Sequence, residues 1–490
     1  MKVTFRILYI MLFIVCLTGC STTKYVGDGE YLLDKVEIKS DNKKFKSADL
    51  KPYLRQQPNF KVFGLMKWQL YVYGWSGRNP KKWLNKQLRR IGEAPVILDT
   101  TLVRQSADEL ERYFINKGFV SAEVNASIDT TKKKKAVVSY SVTTNAPYLI
   151  RDYSMKIGDS KIDSIARLTA PKRSALTSVF RSAPEGFTSL VQEGNLFDRD
   201  MLDKERERIT SLLRRRGYYA FNRDYITYYA DSTFSQHAVD LEMVVKPHRE
   251  ILANGAVREG LHQQYYIKDV TIVTDYDPLK LDGDSVSFTP TDTVKDGDVY
   301  ILYGKHGRTI RPSVLKKSCY LTPGKLYNER NVEQTYSAFA ALRSLRNVNI
   351  RFIETQENDT MKLSCIILTA PAKIQGFGVE LEGTNSGGDL GFASSLNYQH
   401  RNIFKGSEVF TAKVRGAYES LSGKKESGLG NYWELGGEAS VMFPRFLFPF
   451  LSYDFRRKIR ATTEFKVSYN SQTRPEYKRA ILSGGWGYSW

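Results

Sequence analysis

The residues that could do chemistry in this chain are scattered. His237, His248, His262, His306 and His400 show no metal-ligand spacing and read as surface or loop residues, so no metal is expected. No Gly-x-Ser-x-Gly turn presents a nucleophilic serine. Gly376-Phe-Gly378 lacks the third glycine of a nucleotide loop and sits in a strand pattern, and Asp282-Gly-Asp284 falls short of a calcium loop. Cys16 lies in an N-terminal apolar run and Cys20 stands three residues beyond its end. Cys319 and Cys365 would meet an oxidising compartment, where a disulfide is open to them if their Cα atoms come close enough. The expectation is no catalytic residue, no cofactor and no enzyme. The chemistry that remains is that of the backbone, at strand edges with unpaired N–H and C=O groups.

The elements that would carry such edges repeat. Leu102, Val103, Leu110 and Gly118 recur as Met201, Leu202, Ile209 and Gly217, each 99 positions later. Leu110, Tyr113 and Phe114 share a helical face, and Gly118 stands where that helix must stop, in the left-handed conformation that glycine adopts most cheaply. Arg214, Arg215 and Arg216 fill the corresponding last turn before Gly217, where cations suit the helix dipole. A third copy matches at an offset of 130, through Val332, Phe339 and Leu342, with Asn347 in the place of glycine as helix stop. The lysines Lys132–Lys135 read as a solvated hairpin turn rather than an anion patch. Each copy has an upstream strand and short helix: 31–40 with 48–55, 148–158 with 162–168, and 265–274 with 312–317. The order is β-α-α-β-β three times, with an insertion near 277–311 in the third. A fixed-period repeat of this kind signals an array of small domains.

The two ends differ from this middle. Lys2 and Arg6 precede the apolar run 7–17, too short for a membrane span, as in a secretion signal. Leu17-Thr18-Gly19-Cys20 resembles the bacterial lipobox, which implies lipidation of Cys20 as the mature N-terminus. From Lys373 onward six segments of roughly ten residues alternate apolar with polar or glycine, as transmembrane β-barrel strands do. Strands in lipid must pair every backbone group, so a closed barrel is expected rather than a soluble sandwich. Phe443, Phe446, Phe448, Phe450, Tyr453 and Phe455 cluster between the fourth and fifth segments, as an interfacial girdle would.

Gly217-Tyr218, Gly376-Phe-Gly-Val-Glu-Leu-Glu-Gly-Thr-Asn385 and the run Gly391 to Asn402 resemble the BamA/TamA superfamily of outer-membrane assembly proteins, whose repeats are called POTRA domains. Residues 92–98 and the lipobox make the chain similar to the lipoprotein TamA-like (TamL) subgroup of Bacteroidetes. The resemblance implies an α+β array of three POTRA-like units, followed by the first six or so strands of an antiparallel barrel. The domain expectation is a signal peptide at 1–19, repeats at 20–145 (with an inserted loop), 146–249 and 262–371, and a partial barrel at 372–490. That family's barrel has about sixteen strands and the smallest bacterial barrels about eight, so a fragment or a truncated product is expected.

The implied function is non-enzymatic insertion or translocation of outer-membrane proteins, with the repeats in the periplasm and Cys20 holding them to the outer membrane. Unfolded clients would pair with repeat edges by β-augmentation. They would then meet a seam strand of Ile374, Gln375, Gly376, Phe377, Gly378, Val379, Glu380, Leu381 and Glu382. Strand glycines weaken pairing and suit a seam that opens. A TamB-like periplasmic partner is implied as well. The chain has 73 basic and 53 acidic residues. A secreted chain of net charge +20 points to anionic lipid or acidic partners and not to nucleic acid. Three other readings stay open: a two-partner-secretion exporter pore, which usually has two repeats and a plug helix; a lipoprotein scaffold in the periplasm; and a POTRA-linked lipase, which the missing serine turn disfavours.

Overall fold

The computed structural model describes residues 22–62, 66–77, 79–130, 134–167, 189–233, 237–251, 255–276, 288–386, 389–420, 431–448, 450, 461–474 and 477–490. The signal segment, Cys20, Lys132, Lys133, Asp282, Asp284, Tyr453 and Phe455 lie outside them. Two compact units form, one of residues 1–209 and 223–246, the other of 210–222 and 247–490.

The first unit holds two repeats. The first runs β1 (Leu32–Ser40), α1 (Ser47–Leu50), α2 (Trp68–Trp75), α3 (Trp83–Ile91), α4 (Thr100–Asn116), β2 (Glu123–Asp129) and β3 (Lys135–Thr143). Its sheet order is β1-β3-β2, with β1 parallel and β2 antiparallel to β3. Alternate residues Val138, Tyr140 and Val142 of β3 point inward and meet Val103, Leu110 and Phe114 of α4. The period-2 face of a strand and the 3.6-period stripe of a helix thus close one small core. Helices α2 and α3 are the insertion.

The second repeat runs β4 (Leu149–Ile157), α5 (Ser160–Ala166), α6 (Arg199–Arg214), β5 (Ile226–Asp231) and β6 (Ala238–Val245), with sheet order β4-β6-β5. Its smaller core gathers Ile150, Val191, Leu202 and Leu241.

In the second unit a two-stranded hairpin, β7 (His248–Ile251) and β8 (Val257–Gly260), precedes the third repeat. That repeat runs β9 (Tyr265–Val273), β10 (Asp292–Asp296), β11 (Val299–Tyr303), α7 (Pro312–Ser318), α8 (Glu329–Ala340), β12 (Leu345–Glu357) and β13 (Thr360–Pro371). The β10–β11 hairpin adds to the outer side of β9, giving the order β10-β11-β9-β13-β12. Cys319 and Cys365 lie in this core as thiols, without a disulfide bond. Burial pushes the Cys365 thiol well up, and charge at Cys319 adds to the effect.

Six strands follow: β14 (Gln375–Ser386), β15 (Asp389–His400), β16 (Val409–Ser420), β17 (Tyr432–Phe443), β18 (Thr462–Thr473) and β19 (Lys478–Ser489), paired antiparallel in sequence order. Each has twelve residues. At about 3.4 Å per residue and a tilt near 45°, such a strand rises about 29 Å, the thickness of a bilayer's hydrocarbon core. Among the described residues β14 and β19 do not pair with each other, and no closed barrel forms. No described helix is long and apolar enough to cross a membrane, which says nothing about crossing by strands.

Candidate functional site

Strand β14 is an edge of the six-stranded sheet, paired to β15 from Gln375↔His400 to Ser386↔Asp389. Ile374 lies just before it and accepts the Arg401 N–H at 2.8 Å. Phe377, Val379 and Leu381 are 79%, 67% and 69% exposed on one face. Leu396, Val414, Trp433, Leu435, Val467, Leu482 and Trp486 are exposed too, and cross-strand register puts them on that same face. The other face is a ladder of charge. Glu380 Oε2 takes hydrogen bonds from Ser395 Oγ at 2.8 Å and Lys413 Nζ at 3.1 Å. Glu382 pairs with Arg415 at 2.8 Å, and Glu438 with Lys466 at 2.7 Å. A charge facing lipid at mid-bilayer costs about 2–4 kcal/mol, so the apolar face is the one suited to lipid and the ladder to a watery interior.

Gly376 and Gly378 belong to the charged face. A Cβ at Gly376 would meet nothing within 4 Å, and one at Gly378 would come only within 3.7 Å of Asn397. Neither glycine is needed for a close approach; each leaves a gap in side-chain packing along β14.

The repeat junctions form a second constellation. Gly118 and Gly217 have φ of 91° and 99°. The carbonyl of Gly118 accepts the Tyr148 N–H at 2.8 Å, just ahead of β4, and that of Gly217 accepts the Tyr265 N–H at 2.9 Å, at the start of β9. Next to each glycine lies a short strap that precedes a long helix and pairs with the start of a first strand: 194–197 on β4 beside Gly118, and 324–327 on β9 beside Gly217. A third strap, 96–98, pairs with β1 in the same way. Each ends in an N-cap: Asp99, Asp198 and Asn328 accept N–H groups of the first turn at 2.8, 2.9 and 2.9 Å. A charge pair reinforces each junction. Lys117 Nζ reaches Asp198 at 2.9 Å and Asp200 at 2.8 Å. Burial opposes the Lys117 charge, but hydrogen bonds to Asp200 and Asp198 outweigh it and raise its pKa. Arg214 Nε lies 2.8 Å from Glu329 Oε1 as an ion pair, without a directed hydrogen bond at that nitrogen. Burial pushes the Glu329 carboxyl up, and Arg214 pulls it back.

Asn347 departs from the expected helix stop. Helix α8 ends at Ala340, and Asn347, with φ 54°, sits in β12 where the pairing slips between Arg346 and Asn349. The chain leaves the helix early because a tight turn follows: Leu342 N–H bonds Phe339 O, and Leu345 N–H bonds Leu342 O. Within that turn the Ser344 N–H donates to Ser407 Oγ at 3.0 Å, in the bend between β15 and β16.

That bend, residues 401–408, docks the sheet on the third repeat, and no sequence pattern marks it. Arg311 N–H bonds Lys405 O at 2.9 Å, and Asn402 Nδ2 bonds Thr309 O at 2.7 Å. The Glu408 carboxylate, only 2% exposed, takes Arg311 Nη2 at 3.1 Å and the Gly406 N–H at 2.8 Å. Nothing local marked these residues. The straps did leave a signal: Gly194-Asn-Leu-Phe-Asp198 and Gly324-Lys-Leu-Tyr-Asn328 repeat at the offset of 130.

Among the described residues no group of three or more His, Cys, Asp or Glu could hold a metal ion. Residues 31–145 match the family model POTRA, described as a surface antigen variable number repeat. No curated protein matches the chain. Among solved structures, POTRA3-5 of Haemophilus influenzae BamA is 13% identical, over 71% of this chain and 99% of that one, with a TM-score of 0.32. BamA from Haemophilus ducreyi lacking POTRA domains 1–3 is 13% identical, over 70% and 60%, with a TM-score of 0.33. CdiB from Acinetobacter baumannii is 9% identical, over 70% and 57%, with a TM-score of 0.28. The chain thus spans well under two thirds of the last two, and the fold assignment rests on its own topology.

Proposed function

We propose that the chain is part of a non-enzymatic outer-membrane assembly or translocation factor that receives extended client strands on the free edge of β14. The observation that carries this reading is one edge strand with an apolar face, a charged face and an unpaired outer side among the described residues. The match of residues 31–145 to the POTRA model supports periplasmic repeats with client-binding edges. On this reading the chain divides at 20–145, 146–249, 262–371 and 372–490. The lipobox supports a lipid anchor at Cys20 and the TamA-like lipoprotein subgroup, with an elongated TamB-like periplasmic partner. Mass spectrometry of the mature protein then finds an acylated N-terminal cysteine, and a different N-terminus removes the anchor.

The repeats qualify where clients can pair. In the third, β11 covers the outer side of β9, leaving β10 and β12 as its edges. In the first two repeats the straps occupy only the start of β1 and β4, so among the described residues most of each strand edge pairs with no other strand and is open to β-augmentation. Client folding into lipid supplies the free energy, and no nucleotide is needed. The test is insertion of an unfolded outer-membrane protein into vesicles carrying the complete gene product, scored by protease protection. Insertion faster than into empty vesicles is expected. Passage of the client into the lumen, without insertion, would instead mark an exporter.

A further inference from the structure

The insertion of the first repeat is built inside out. Helix α3 turns polar side chains toward its neighbours. Asn85 Oδ1 accepts the Gly77 N–H at 2.8 Å, and Asn85 Nδ2 donates to Asn79 O at 2.7 Å. Arg89 Nε donates to Ser76 Oγ at 3.2 Å and Nη2 to Gly77 O at 3.1 Å. Three of its four large apolar residues face out: Trp83, Leu84 and Ile91 are 73%, 60% and 63% exposed, while Leu88 is half-buried. A helix folded for water alone buries that stripe and exposes its polar residues.

The hairpin is nevertheless firmly held. A Cβ at Gly92 would fall 2.5 Å from the Tyr73 nitrogen, so only glycine lets the end of α3 lie against α2. Leu70 of α2 joins Val26 and Leu32 in a small core. Lys67 Nζ donates to the Asp34 carbonyl at 2.9 Å and carboxylate at 3.0 Å, tying the hairpin to β1. The outward apolar face is therefore presented by a rigid support.

Charge indicates what covers it. Between Asp49 and Glu93 the sequence has ten lysines and arginines and no acidic residue, half of the chain's net charge of +20. Lys86 and Arg90 are exposed at positions i+3 and i+7 from Trp83, with Lys82 just before the helix. An apolar face with tryptophan, rimmed by cations, is the composition of a helix lying in an anionic membrane interface. The N-terminal segment leads to the same place. Lys24 Nζ bonds Gly74 O at 2.8 Å and Ser76 O at 2.9 Å. The Tyr25 hydroxyl bonds Ser76 O, and its ring packs edge-on against Tyr73 at 5.4 Å.

We propose that helix α3 docks on an anionic lipid surface through Trp83, Leu84 and Ile91, holding the first repeat at the membrane. The proposal rests on the outer-membrane reading above and adds a second contact beside the Cys20 anchor. A polybasic apolar patch adds to whatever membrane affinity acylation of Cys20 supplies.

The test uses the full chain carrying Cys20→Ala, so that acylation plays no part, mixed with vesicles of phosphatidylcholine with or without phosphatidylglycerol. Trp83 is read as the quenching by acyl-chain-brominated lipid that disappears in Trp83→Phe. Quenching with phosphatidylglycerol, lost without it or in high salt, is expected. Replacing Lys82, Lys86 and Arg90 with Gln should lower vesicle affinity about a hundredfold at low salt, at roughly fivefold per charge. Flotation of the chain without Trp83 quenching overturns the proposal, because the sheet would then bind alone. Trp83 shielding that needs an added acidic protein also overturns it and assigns the face to a protein partner. Client insertion is scored separately, so failure here leaves the assembly reading standing.

Discussion

Gly217 is where two physical costs meet, and they can be separated. Its φ of 99° is one that side-chain-bearing residues rarely adopt. A Cβ there would also fall 2.8 Å from both Cγ and Cδ1 of Leu326 on the strap of the third repeat. The dihedral term costs about 1–2 kcal/mol for alanine. Crowding against a packed leucine adds about 1–3 kcal/mol. Gly217→Ala should therefore lose about 2–5 kcal/mol of local stability, or about 30- to 5000-fold in protection. Gly324 is the control, because its φ is 77° and nothing lies within 4 Å of its would-be Cβ. Gly324→Ala should lose the dihedral term alone. A chain of several modules has no single unfolding free energy, so the assay is native-state hydrogen exchange. The reporter for Gly217 is the Tyr265 amide, which donates to the Gly217 carbonyl; for Gly324 it is its own amide, which donates to Ile267 O at 2.7 Å. Leu326→Ala in the Gly217→Ala background should recover the crowding term. Equal losses at the two glycines, or no recovery, would refute the argument that the strap and the glycine form one joint.

Other consequences concern the dock, acid stability and the edge strand. Arg311→Ala should destabilise the 401–408 bend more than Glu408→Ala does, by about 3 against about 1 kcal/mol, because only the first leaves a buried carboxylate without its cation. Exchange at the Gly406 amide reads both. The Glu357 carboxyl is held down to about 2 by hydrogen bonds from Lys268 and Lys362. Its folded pKa lies below the ordinary glutamate value of 4.5, so its contribution is present above pH 4.5 and is lost as pH falls toward 2. Unfolding followed between those pH values should show a slope that Glu357→Gln reduces, and salt should weaken it. Gly376→Val with Gly378→Val should leave sheet formation intact, since both sites have room for a Cβ. Valine fills a pleated surface better than glycine, so the pair should slow client insertion in the vesicle assay by tightening the edge.

Periodicity made much of this molecule readable, and its failures are local. The offset of 99 puts Asp198 where Asp99 stands, and both cap long helices. The offset of 130 does the same for Asn328, yet it carried the helix stop to Asn347 although α8 ends at Ala340. A repeat transfers its buried positions reliably because packing enforces them. It does not transfer a helix end that is set by a neighbouring module, as Ser344 is by Ser407. Strand β11 at 299–303 was legible from its apolar run, while β10, Asp-Thr-Val-Lys-Asp, hid in its polarity as edge strands do. The β7–β8 hairpin was missed for the same reason, being short and charged. Period-2 alternation disclosed all six long strands. It could not disclose Arg311 and Glu408, 97 residues apart, because nothing in either neighbourhood calls for the other. Helix α3 misleads most, since its apolar stripe suggests a buried face and the fold turns it outward.

The central claim is that β14 offers its outer edge to a client strand. Photocrosslinkers at Gln375 and Glu380 report on that edge strand, and one at Asn397 on β15, which has a neighbour on each side. The measurement is crosslink yield to an outer-membrane client arrested during insertion, in the complete gene product. Yields from Gln375 and Glu380 well above that from Asn397, falling when Gly376 and Gly378 are replaced by Val, are predicted. Equal yields at all three positions, or none from β14, would contradict the account.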